Sequence, residues 1–303
     1  MDEAKNDIEE YQQLLRTVFD AYLEQLNTGG LEPSEGFLPY DFEEEIDARQ
    51  WFNPLDISGE MIKGELRELT NTLNSWHNSL LRWDAWNKVI QPYNTDEMKA
   101  WVLRREFLEP LVFYCLFQPA SSRDRFTFVG TNAMHQVRLK TEDRYQDYLK
   151  GDPKTPGEIT KPKYLSRRKK ENRLSELLSF WTEGVEFMEL LRTIDDEVYK
   201  KATADYRNLH SHIIGPRLGI GHVRTVVRSV RKHTTMKKQP NGTYTETLNG
   251  KVGPSYSFGG GTPPLDLEKA HAANLEQYRR ARKCYESYRK LLAAGMEAMP
   301  LAK

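Results

Sequence analysis

From Ile62 to Trp83 the chain repeats apolar residues in alternating steps of four and three: Ile62, Leu66, Leu69, Leu73, Trp76, Leu80 and Trp83. This spacing holds one apolar stripe on one side of an α-helix for about six turns. The segment therefore predicts a long helix pressed against another, with its tryptophans serving as core. A chain built round such a seam is mainly α. At 303 residues it is long enough to bury a sizeable core without staples.

Other helices follow from the same periodicity. Ile8, Tyr11, Leu15, Val18 and Tyr22 make one stripe near the start. "NTDE" predicts a helix start in which Asn94 and Glu97 form a capping box; that helix carries Trp101, Leu108 and Phe113, with a kink at Pro110. A further helix is expected from about Asn132 to Leu149. "RLSELLSFWTEGVEFMELLRTI" and "DDEVYKKATADYRNLHSHII" each read as one helix, the second stopped by Gly215 and Pro216. Leu275, Tyr278, Tyr285, Tyr288 and Leu292 give the last helix its core stripe. Between them, "GHVRTVVRSVRKHTT" suits a helix by its valine spacing and a strand by its β-branched content. The "QPNG" turn and the "TYTETL" that follow favour a β-hairpin insert at about 220–260. The expected architecture is a bundle of long antiparallel helices with this small hairpin before the C-terminal helix. "GDPKTPGEITKPK" reads as a linker at 151–163, because its glycines and prolines do not sustain a helix. It separates an acidic helical region, 1–150, from a second helical domain, 164–303, although the acidic region can also belong to the same bundle.

A net charge of zero hides a division. Up to Lys150 there are 16 Lys and Arg against 27 Asp and Glu, and beyond it 28 against 17. From Tyr206 to Thr245 there is no acid at all, while Arg207, Arg217, Arg224, Arg228, Arg231, Lys232, Lys237 and Lys238 supply eight cations. Such a segment fits a polyanion, or else docks onto the acidic half. The two cysteines, Cys115 and Cys284, form no metal-type spacing and point to a reducing compartment. With an acidic N-terminus and no long apolar run, the expectation is a cytoplasmic protein that does not enter membranes.

Several chemistries are excluded by their missing parts. Gly259 to Gly261 lack the Lys and Ser/Thr of a phosphate loop, "LGIGHVR" lacks the third glycine of a dinucleotide fingerprint, and no G-x-S-x-G is present. His210, His212 and His222 come without a zinc-type partner, so neither metal nor cofactor is expected. What remains is "RNLHSH". On a helix, Asn208 and His212 share a face with Arg207 on its flank. His212 would lie in the last turn, where the negative end of the dipole suits an imidazolium able to give up a proton. Arg207 offers a permanent fork for phosphate, and Asn208 can orient either partner. These are the groups that metal-free RNA cleavage needs.

The same residues carry a resemblance. "RNLHSH" is similar to the R-N-x-x-x-H form of the motif of the HEPN superfamily, and Pro216 with Arg217, the β-like insert and the Pro263 to Leu265 entry to the closing helix resemble one prokaryotic group within it. The resemblance covers roughly Glu176 to the C-terminus. It implies a metal-independent endoribonuclease in which Arg207, Asn208 and His212 act at a composite site between two chains, leaving a 2′,3′-cyclic phosphate. A toxin–antitoxin or antiphage setting, with an antitoxin or defence-system partner, is part of that implication. RNA would be held by Arg217, Arg224, Arg228, Arg231, Lys232, Lys237 and Lys238. The bare Arg–His spacing also occurs at Arg217 to His222 and Arg228 to His233, so the assignment rests on Asn208 and on the helix. Whether His210 or His212 is the reacting histidine stays open. The other reading is a HEPN-like module that binds RNA, nucleotide or protein without catalysis.

Overall fold

In the computed structural model the seam forms helix α3, Ile57–Ile90, and all seven of its residues are buried. The structure describes residues 2–28, 36–51, 57–160, 164–212, 214–223, 226–258 and 262–302. They form two compact units: the chain up to Asp205 together with everything from Leu267 onward, and the stretch Tyr206–Asp266. The architecture is mainly α, 67% helical, and among the described residues a single two-stranded sheet stands out as the exception.

In the first unit α3 is flanked by α1, Asp2–Thr28, and α5, Glu109–Thr141. Only half of the expected α1 stripe is covered: Val18 and Tyr22 are buried, and Tyr22 stacks on Trp86 at 4.4 Å, but Ile8 and Tyr11 are exposed. After the short α2, Glu43–Asp47, and α3, helix α4 spans Glu97–Leu103. Its cap is Asp96, whose side chain accepts from the Lys99 amide at 3.1 Å. Asn94, expected in that role, instead accepts from Arg104. The irregularity foreseen at Pro110 lies one turn earlier, as a π-helical turn over Arg104–Leu108, which leaves Pro110 in the first turn of α5 where its missing N–H costs nothing. The separate helix expected from Asn132 is the end of α5. Beyond Thr141 the chain turns back, because His135 binds the Tyr145 hydroxyl and the Asp147 carboxylate, each at 2.9 Å.

The stretch 151–163 does not divide two cores. Helices α7, Arg167–Leu178, and α8, Glu183–Thr193, pack with α5 and with α11, Leu267–Glu297, so the acidic and basic halves share one bundle. The stretch even holds a single helical turn, α6, Pro156–Thr160, with Pro156 as its first residue. The long helix expected over 173–194 is broken at Ser179–Thr182. There α7 and α8 cross so closely that a Cβ on Gly184 would stand 2.8 Å from the Leu178 Cβ and carbonyl. The next one is broken too: α9, Glu197–Ala202, and α10, Tyr206–His212, are separated by Ala204 and Asp205, whose φ angles of 51° and 48° are left-handed.

Pro119 sits inside α5, so the Cys115 carbonyl one turn back has no amide to accept from. Asn274 of α11 supplies the donor at 2.8 Å, accepts from the Trp76 indole at 2.7 Å, and also donates to the Tyr199 hydroxyl at 2.9 Å. Leu275, expected in the core stripe, is only half-buried; its polar neighbour Asn274 takes the centre.

The second unit holds strands β1, Val226–Lys238, and β2, Tyr244–Phe258, paired antiparallel from Val226 opposite Phe258 to Lys238 opposite Tyr244, with a register shift between Lys232 and Thr234. The hairpin is longer than "TYTETL" suggested, and Gly242, at φ 83°, completes its turn. Replacing Asn274 by Leu leaves the Cys115 carbonyl and the Trp76 indole N–H without their partner, and the Tyr199 hydroxyl with only its bond to the Leu116 carbonyl. The expected loss is about 3–5 kcal/mol of unfolding free energy, measured by urea titration of the full chain.

Candidate functional site

Helix α10 carries the candidate residues, and it is two turns long rather than the end of a twenty-residue helix. Tyr206 is buried and stacks on the His210 ring at 5.3 Å with the planes 14° apart, the usual i, i+4 relation. The chain then reverses at Gly215, where a Cβ would lie 3.3 Å from the His210 amide nitrogen. The His210 ring is thus held against Tyr206, although the residue itself is exposed. Arg207, Asn208 and His212 are exposed. Among the described residues no hydrogen bond or ion pair engages Arg207 or His212. By the helical period Asn208 and His212 stand about 40° apart, whereas Arg207 is about 140° from His212. Asn208 and His212 therefore share a face, and Arg207 flanks it on the other side.

The elements that follow the motif come together in hydrogen bonds. The Leu265 amide donates to the Arg217 carbonyl at 2.8 Å, and the Gly219 amide donates to the Leu265 carbonyl at 3.1 Å. Val223 and Thr262 exchange a further pair of bonds, at 3.1 and 2.8 Å. The segments after Pro216 and up to Leu265 are thereby joined by two isolated bridges, a parallel one between Leu218 and Leu265 and an antiparallel one between Val223 and Thr262, and Pro216 is buried. Arg217 itself is exposed, its stem passing 3.1 Å from where a Cβ on Gly221 would stand.

The competing Arg–His pairs lose on geometry. Arg217 and His222 lie in the loop that contains Gly219 and Gly221, both at positive φ. Arg228 and His233 are five residues apart on one strand, so they point to opposite faces. His233 indeed lies over Gly253, where a Cβ would come within 2.1 Å of its ring.

The strand period also divides the expected RNA-binding residues. Arg228, Lys232 and Lys238 share one face of the ribbon, Arg231 and Lys237 take the other, and Arg217 precedes the strand. Arg224 lies outside the described residues. The acid-free segment is thus not one basic patch. What the sequence reading missed is the contribution of β2, where Tyr244, Leu248, Val252 and Tyr256 join Arg228 and Lys232 on the same face. Their even spacing along 244–256 was the available signal.

Among the described residues no cluster of three His, Cys, Asp or Glu side chains is placed to hold a metal ion. Both cysteines are buried, and burial pushes their thiols above the ordinary range. In the first unit a cavity of about 340 Å³ is lined by Gly64, Glu65, Glu68, Leu69, Arg125, Phe128 and Val129. Asn132 donates to one Glu65 carboxyl oxygen at 2.6 Å, and the other is buried without a partner. Desolvation raises the Glu65 pKa to about 7 against that one opposing bond. Glu65 therefore marks a pH-sensitive point of the bundle. The native state holds this proton more tightly than the unfolded chain does. Stability contributed by Glu65 is accordingly full below about pH 4.5 and falls as pH rises to about 7. Urea midpoints measured across that window should decline in the wild type and lose this component of the decline in Glu65→Gln.

Against known proteins, the chain matches no family model, no curated protein and no solved structure.

Proposed function

We propose that this chain is a metal-independent endoribonuclease of HEPN type, with Arg207, Asn208 and His212 as its reacting set. The observation that carries the reading is that Arg207, Asn208 and His212 stand exposed together on α10; His210, the rival histidine, is exposed too, but its ring is stacked on Tyr206. His212 moves the proton: the 2′-oxygen attacks phosphorus, the bond to the 5′-oxygen breaks, and the products are a 2′,3′-cyclic phosphate and a 5′-hydroxyl. Arg207 stabilises the charge that builds on the phosphoryl oxygens, and Asn208 holds His212 or the phosphate in orientation.

The 140° between Arg207 and His212 favours a composite site, in which the arginine of one chain serves the histidine of another across a twofold axis. A ribonuclease of this kind needs restraint in its host, so an antitoxin or a defence-system partner fits the reading. The second reading is an RNA-binding module without catalysis, favoured by the cations that the hairpin presents whether or not α10 reacts.

Purified protein incubated with total RNA in EDTA separates the two. Cleavage is expected in the wild type, with a loss of about 10²- to 10⁴-fold in Arg207→Ala and in His212→Ala. Cleavage that persists in both variants overturns the site. Salt-sensitive binding with no cleavage by the wild type establishes the second reading instead.

A further inference from the structure

Val230, Met236, Tyr244, Leu248, Val252 and Tyr256 all fall on one face of the β1–β2 ribbon, and each is 60–64% exposed. The opposite face carries Ser229, Thr235, Thr245, Thr247 and Ser255, with Arg231 and Lys237. A two-stranded ribbon is marginal in water, and one that gathers its apolar side chains on an uncovered face is built to meet something.

The register says what. Arg228 pairs directly with Tyr256, Lys232 with Val252, and Lys238 with Tyr244, so each of these tyrosines has a cation beside it on the same face. The row from Arg228 to Lys238 spans about 33 Å of strand. Its one acid, Glu246, receives a hydrogen bond from Thr234 at 2.5 Å. A ring with a cation beside it at each end of the row, and Lys232 among aliphatic side chains between them, match a strand whose bases are unstacked and whose phosphates run alongside.

We infer that this face of the ribbon is a stacking platform for single-stranded RNA. The inference deepens the function proposed above and rests on that reading for the choice of RNA as the nucleic acid. A duplex is a poorer occupant, because its bases are already stacked and the major groove of A-form RNA is too narrow for side chains to read. A second copy laid face to face would set cation rows against each other. A membrane surface would receive the rings, but Lys232 stands in the middle of the apolar row rather than at its rim and would be drawn toward hydrocarbon with it.

The test uses the full chain carrying His212→Ala, in EDTA, with a fluorescent single-stranded RNA of about 20 nucleotides, its duplex, and vesicles of acidic phospholipid. Expected is at least a 10-fold preference for the single strand. Tyr244→Val with Tyr256→Val keeps strand propensity and removes the rings; it should weaken single-strand binding roughly 10- to 100-fold and leave duplex binding unchanged. Tyr244→Phe with Tyr256→Phe should bind as the parent does. Unchanged binding in the valine pair overturns the platform. So does an equal loss in the phenylalanine pair, or a preference for vesicles over RNA. The wild-type cleavage assay separates this from the nuclease reading: tyrosine-dependent single-strand binding without cleavage sinks the nuclease alone, and cleavage with tyrosine-independent binding sinks the platform alone.

Discussion

The bundle depends on one amide. Pro119 removes a donor from the middle of α5, the helix on which α3, α7, α8 and α11 all pack, and Asn274 replaces it. Because the same side chain accepts from Trp76 and donates to Tyr199, it ties α3, α5, α9 and α11 at a single point that water does not reach. A buried amide with all its partners in place fixes register more sharply than an apolar contact, since any slip leaves several groups unpaired at once. The neighbouring turn of α11 extends the device: Gln277 accepts from the Asp195 amide at 2.6 Å, and Asp195, at φ 56°, pairs with Arg167. Arg123 meets Glu171 with both nitrogens of its fork and binds the Ile194 carbonyl besides.

These contacts converge on the chain around α9, just before the second unit begins at Tyr206. The left-handed pair Ala204 and Asp205 closes α9 through the bond from the Asp205 amide to the Lys200 carbonyl at 2.6 Å. The bundle resumes at Leu267. A segment inserted between two secured elements can change its surface without loosening the core, and that is where sequence tolerates functional residues most readily. The charge division agrees with this. Acidic residues of the first half find partners inside the bundle, such as Asp41 and Glu45 with Arg289 and Asp124 with Arg167, while the cations of the insert face solvent.

What could be read from sequence was what a single element decides. The α3 seam is a property of one helix, and all of it is buried. The breaks at Ser179–Thr182 and Ala204–Asp205 escaped because their causes are tertiary: a close crossing at Gly184, and two residue types that carry no visible objection to a helix. Asn274 escaped for a related reason, since an asparagine on an amphipathic helix normally belongs to the wet side and the orphaned carbonyl it serves is 159 residues away. At the site, "RNLHSH" was legible as a local pattern. The faces of the basic residues were not, because a strand's two sides are separated only once its register is known.

The same distinction decides how the three Arg–His pairs should be weighed. Spacing alone makes them equal, yet one pair lies in a glycine loop, one is split between the faces of a strand, and one shares a helix. Even the surviving pair is not assembled by its own helix. Two residues 140° apart present their heads to different directions, and an arginine long enough to bend round would spend its reach doing so. Under the nuclease reading proposed above, a second copy approaching the Asn208 and His212 face with its own Arg207 would not need that reach, which is why that reading places the site between two chains.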